Sequence, residues 1–135
     1  MVQTVNGTLE YVISLTSHVP AGDVPGAVLT LLAEMGFHAH MDGFYYLRKA
    51  ICLRCDEPDM RMSSIYQEIV MESHYAITCE QVEQAIMGVI SNAWRSRNRE
   101  IWGYFFCGML GKSKPSNKVF VSRIACFMEL WRGCC

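Results

Sequence analysis

At 135 residues, with 51% hydrophobic and 19% charged side chains, the chain has the size and composition of one globular domain, which excludes a disordered or low-complexity polypeptide. The formal charge of −1 conceals a split: residues 1–94 carry four basic and eleven acidic side chains, net −7, whereas residues 95–135 carry eight basic and two acidic, net +6. A basic end of this kind points to a polyanion partner.

In chain order, Val2 to Val5, then Asn6-Gly7, then Thr8 to Leu15 with Leu9, Tyr11, Ile13 and Leu15 in alternation, predict a β-hairpin, because both central residues of a type I′ turn need positive φ. Pro20, Gly22 and Pro25 mark a connector, so residues 1–25 are expected to form a hairpin and connector ahead of a helical domain over 26–135. A first helix opens at Asp23 or Val24 ahead of Pro25, shows a Val28, Leu31, Leu32, Met35 stripe and stops at Gly36. Asp42 is expected to cap a second, with Phe44, Leu47, Ala50 and Ile51 inward until the break around Pro58. A third opens at Ser63 or Ser64 and buries Ile65 and Ile69. The fourth is the clearest: Thr78 and Gln81 fit a capping box, and Val82, Ala85, Ile86, Val89, Ile90, Ala93 and Trp94 keep a 3.6-residue period. Gln81, Gln84, Gly88, Ser91 and Arg95 fall on its opposite face. Asn98 caps a fifth helix through Ile101, Tyr104 and Phe105, Gly111 to Pro115 form a basic loop, and a sixth helix from Ser116 or Asn117 runs to Gly133. The expected class is all-α, about six helices with a helix-turn-helix, plus the short N-terminal hairpin.

No Lys or Arg precedes Arg48, so no secretory signal is expected and the expected location is cytoplasmic. The longest apolar run, Ile101 to Gly111, is about half the roughly 20 residues that span a bilayer, so no membrane association is expected. Seven cysteines, an odd number, read as reduced thiols. Cys52 and Cys55 form a C-x-x-C with His38 and His40 upstream, but they fall inside a predicted helix and no second C-x-x-C follows, so buried thiols are expected and no metal. A thioredoxin-like role would need a βαβ context. No catalytic set and no cofactor motif stands out, and neither an enzyme nor a small-molecule substrate is expected.

Helices at about 63–75 and 78–95, joined by a very short turn, outline a helix-turn-helix whose second helix enters the major groove. Its first turn offers Gln81, Glu83 and Gln84 as base-contact candidates, because Gln pairs bidentately with adenine and Glu accepts from cytosine. The same residues also suit the solvated first turn of any helix. Arg95, Arg97 and Arg99 beyond the apolar stripe suit phosphates or a helix C-terminus, and Lys112, Lys114 and Lys118 suit phosphates or a plain soluble loop.

Met35-Gly36 to Ile51 with His40, Gly43, Tyr46 and Arg48, then Val82-Glu83-Gln-Ala-Ile86 ahead of Ala93-Trp94, then Lys114-Pro115-Ser-Asn117 with Phe120 to Ala125, resemble the C-terminal DNA-binding effector domain of the stage-zero sporulation response regulator of endospore-forming bacteria. The resemblance covers about residues 28–130. It implies a six-helix domain that binds a short promoter element as a head-to-tail pair and controls sporulation-phase transcription, with double-stranded DNA as partner and a homodimer on it. It also implies His40 near the DNA backbone, and the phosphate-contact candidates are then His40, Thr78, Arg95, Arg97, Lys112, Lys114 and Lys118. In the family a receiver domain precedes this one; the segment here, some 25 residues, is too short for it, so a standalone effector is expected. The family's Arg-rich recognition helix is replaced by Gln81, Gln84, Met87 and Gly88, with only Glu83 kept, so sequence preference is expected to differ. The stretch Tyr66 to Val82 is about two residues longer than the family's. The Arg-poor helix also fits a rival: a protein–protein interaction module of the same fold that has lost DNA binding.

Overall fold

A computed structural model describes residues 5–106 and 113–133. Among them seven helices follow one another: α1 Val5–Leu15, α2 Val24–Glu34, α3 Asp42–Asp56, α4 Met62–Glu72, α5 Cys79–Arg95, α6 Arg99–Phe106 and α7 Asn117–Gly133. The expected all-α domain is present. No strand occurs among the described residues, so the N-terminal hairpin is corrected to a helix.

The correction has a packing cause. The alternating pattern of Leu9 to Leu15 coexists with a helical one at 11, 12, 15 and 16, and the fold uses the second: Val12 and Thr16 are buried, Tyr11 and Leu15 half-buried, and Ile13 is 39% exposed. Thr16 Oγ1 donates to the Val12 carbonyl at 2.7 Å and accepts from buried Trp131 Nε1 at 2.9 Å, which fastens α1 to α7. Tyr11 stacks on Tyr104 of α6 with centroids 4.1 Å apart. These long-range contacts override the local turn preference of Asn6-Gly7, which lies inside α1. Val2 to Thr4, the rest of the expected first strand, lie outside the described residues, as do Cys107 to Lys112, which include the start of the expected basic loop.

Helix ends follow their capping chemistry. The Asp23 carboxylate accepts from Gly26 N–H at 3.1 Å, with Pro25 in the first turn of α2. Gly36, at φ +96°, closes α2 in a Schellman arrangement in which Phe37 N–H reaches the Leu32 carbonyl at 3.1 Å. Asp42 is the first residue of α3 rather than its cap; that place is taken by Met41 with extended backbone, and Asp42 favours the helix dipole instead. α4 stops at Glu72, three residues before the expected end, because Ser73 is extended and its hydroxyl accepts from Tyr75 N–H at 3.0 Å. The connection to α5 is therefore six residues, 73–78, rather than a very short turn.

α3 is the central helix, packed against α5 and α7 and flanked by α2 and α4. A second focus of the core is Trp102 of α6, fully buried, with its ring centroid 5.6 Å from those of Trp94, Phe106 and Phe120 and 6.0 Å from Phe37. Its indole N–H donates to the Met35 carbonyl at 3.0 Å. No helix among the described residues is long and apolar enough to cross a membrane.

Candidate nucleic-acid interface

α5 is positioned from both sides. Toward the core it buries Val82, Ile86, Val89, Ile90 and Ala93, and α3 crosses it closely at Gly43. A Cβ at Gly43 would run into the Ala85 carbonyl oxygen and stand 2.7 Å from Val89 Cγ1, so this crossing admits only glycine without a shift. At its start, the capping box is formed: Gln81 N–H donates to Thr78 Oγ1 at 3.1 Å, and Thr78 N–H donates to Gln81 Oε1 at 2.9 Å. Thr78→Ala is expected to cost about 1 kcal/mol by loss of the cap, which a urea melt reads as a lower midpoint at unchanged slope.

At 100° per residue, Gln84, Gly88, Ser91 and Arg95 form the outward strip of α5, opposite its buried face. Gln84, Gly88 and Arg95 are exposed and Ser91 half-buried. Of the three base-contact candidates, Gln84 stands on this strip. Gln81 is exposed at its edge with its side-chain oxygen committed to the cap, and Glu83 is half-buried and turned toward α4 and α7. Thr78, too, is engaged in the cap.

One flank of the strip is the segment entering α7. Pro115 is buried, and the preceding Lys114 donates from Nζ to Ser91 Oγ, which in turn donates to the Met87 carbonyl at 2.9 Å. Lys118 is exposed in the first turn of α7. Between them and α5 runs a groove of about 400 Å³ with Met62, Tyr66, Met87 and Ile90 on its apolar walls. Asn117, only 8% exposed, fixes this corner by donating from Nδ2 to the Tyr66 hydroxyl and to the Glu83 carbonyl, both at 3.1 Å. By sequence Met87 is one of the positions that replace the family's Arg and Asn117 belongs to the Lys-Pro motif, whereas the hydrogen bonds of Asn117 and the seating of Lys114 on Ser91 have no local signal; Met87 is 38% exposed beside the strip.

The other flank is the 37–41 turn. Asn92 Nδ2 lies 4.0 Å from Met41 Sδ, which brings the turn to the C-terminal half of α5, and His40 is exposed on it with His38 at a ring separation of 5.7 Å. Arg95 is exposed and donates to Asn92 Oδ1 at 3.3 Å. Arg97 is placed differently: its guanidinium lies 3.8 Å above the Trp94 ring and donates to the Trp94 carbonyl at 2.8 Å, so it serves the C-terminal end of α5. The structure thus places Gln84 and Arg95 on one helix face with Lys114 seated beside them, puts Lys118 across the groove and His40 on the turn that touches α5 through Met41, and engages Thr78, Gln81 and Arg97 in helix ends. Lys112 lies outside the described residues.

Residues 28–128 match the family described as Sporulation initiation factor Spo0A C terminal. The chain belongs to this family. The match runs from α2 into α7 and includes the 37–41 turn, α5, Lys114 and Pro115; α1 precedes it. The Spo0A C-terminal family is the DNA-binding effector domain of a sporulation factor, a regulatory domain and not a known enzyme family, with double-stranded DNA as its partner.

Elsewhere, Cys52 and Cys55 of α3 lie one turn apart. Burial pushes the Cys55 thiol up to about 12, with its Sγ 3.8 Å from the Ala125 carbonyl, and burial raises Cys52 as well. A thiol held so firmly in its protonated form is a poor metal ligand or nucleophile. Among the described residues no group of three or more His, Cys, Asp or Glu side chains is arranged to hold a metal ion.

Proposed function

We propose that this chain is a sequence-specific transcription regulator that lays the outward strip of α5 in the major groove and binds its site as two copies. The observation that carries the reading is the strip Gln84, Gly88, Ser91, Arg95 flanked by Lys114 seated on Ser91. Gln84 has the donor and acceptor pair that reads adenine, the Gln81 amide nitrogen remains as a donor at the strip's edge, and Glu83, which faces the groove beside α4 and α7, accepts from cytosine only if its side chain swings out toward the strip. Lys114, Lys118, Arg95 and His40 hold the two phosphate backbones, with Thr78, Arg97 and Lys112 as further phosphate contacts. The single basic residue on α5, Arg95, favours a second reading, an interaction module of the same fold without DNA binding.

Fluorescence anisotropy with labelled duplexes, selected from a random pool, separates them. For a DNA-binding protein, affinity falls linearly in log–log form with salt, by about 0.9 per phosphate neutralised. Lys114→Ala is expected to weaken every duplex alike and to reduce that slope by about 1. Gln84→Ala is expected to flatten preference at one base position by about 1–3 kcal/mol. Absence of any complex at micromolar protein and low salt gives the interaction module instead.

A further inference from the structure

A second groove, of about 270 Å³, lies between the start of α3 and the connection after α4, and no role in reading DNA uses it. Its walls are Asp42, Tyr45, Tyr46, Glu72, His74 and Tyr75. Two of its aromatic rings are left in solvent: Tyr75 is 79% exposed and Tyr45 is 49% exposed. Tyr45 and Tyr46 meet edge to face at 5.9 Å. Electronegative groups converge here, since burial first, then Asp42, Tyr45 and Tyr75, make the Tyr46 hydroxyl harder to ionise.

Just outside the groove, two of its wall residues already hold cations of the chain itself, so Glu72 is paired and the Tyr45 ring is approached from the side of the neighbouring hollow lined by Arg48 and Lys49. Lys49 Nζ sits 2.7 Å from Glu72 Oε2, and the Arg48 guanidinium lies 5.8 Å from the Tyr45 ring centroid. Asp42, by contrast, has no ion-pair partner among the described residues. Aromatic faces beside carboxylates form a box suited to a positively charged head with an apolar stem.

We propose that this groove is a binding site for an organic cation, an alkylammonium or guanidinium head held over the Tyr45 and Tyr75 rings and against the Asp42 carboxylate. It stands on residues other than those assigned to DNA, so either reading can fail alone. The cation is either a free polyamine or a Lys or Arg side chain of a peptide, and two probes tell these sources apart.

Spermidine and a short arginine-lysine peptide amide are titrated into the full chain at constant ionic strength, with sodium chloride as control, and followed by calorimetry and by amide shifts in ¹H–¹⁵N spectra. Saturable binding with shifts confined to residues 42–46 and 72–75 supports the site, and the tighter probe identifies the source. Tyr75→Ala and Asp42→Asn are each expected to weaken binding about tenfold, within the range for a cation over an aromatic face, while Tyr75→Phe keeps it. Thermal melts confirm that these exposed substitutions leave the fold intact. Shifts that do not saturate, that spread over all carboxylates, or that survive both substitutions overturn the proposal.

Discussion

Trp102→Ala is expected to lower stability by about 3–5 kcal/mol. The indole is fully buried, meets the rings of Trp94, Phe37, Phe106 and Phe120, and supplies the hydrogen bond that satisfies the Met35 carbonyl at the end of α2. Truncation removes the aromatic packing and orphans a buried acceptor, two losses that add. Single domains hold about 5–15 kcal/mol in all, so a loss of this size is a large fraction of the total. Trp102→Phe separates the components, because it keeps ring contacts while removing the N–H, and is expected to lose less. Equal midpoints for wild type and Trp102→Ala in urea would show that the α6 cluster contributes little to the fold.

Gly43→Ala carries the second large effect and reaches the DNA face through packing alone. The added methyl meets the Ala85 carbonyl oxygen, which belongs to helix backbone and has no rotamer to change, so α3 and α5 must separate. Overpacking of this kind costs about 1–3 kcal/mol, against which the better helix propensity of alanine returns under 1 kcal/mol. A fall in melting temperature of several degrees is expected. Gly88→Ala is the matched control on the same pair of helices: a Cβ there meets nothing within 4 Å, so stability is expected to rise by about 0.5–1 kcal/mol. In the DNA titration, Gly43→Ala is expected to weaken binding by moving the whole strip, although its own side chain faces the core. A Gly43→Ala protein with unchanged melting temperature and unchanged affinity would refute the close crossing.

Much of the fold is legible in local pattern. The Thr78 and Gln81 capping box, the glycine stop at Gly36, the Asp23-Val-Pro25 start and the apolar period of α5 each have a short-range cause, and each appears in the structure. Over residues 5–15 a helix replaces the expected hairpin because Asn6-Gly7 is a strong signal only in the absence of tertiary competition. The competitor here is Trp131, 115 residues away from the threonine it bonds. The end of α4 was misplaced for a more local reason, the Ser73 hydroxyl turning back on the following backbone.

The site was legible by residue type and illegible by engagement. Gln81 and Thr78 satisfy two motifs at once, a cap and a contact with DNA, and sequence alone does not rank them. By sequence Arg97 suits a phosphate or a helix C-terminus equally, and only its contacts with the Trp94 ring and carbonyl distinguish the two. The placement of Lys114 on Ser91 joins residues 23 apart through a side-chain contact that no periodicity encodes.

That last contact has an entropic consequence. An exposed lysine on a loop samples many rotamers, and holding it in one costs up to about 2 kcal/mol of side-chain entropy. Resting on Ser91, with Pro115 buried behind it, Lys114 has surrendered part of that freedom during folding and carries its charge beside the strip before any duplex arrives. In the proposed complex with DNA, less side-chain entropy is then left to lose at this corner than an unseated lysine would lose.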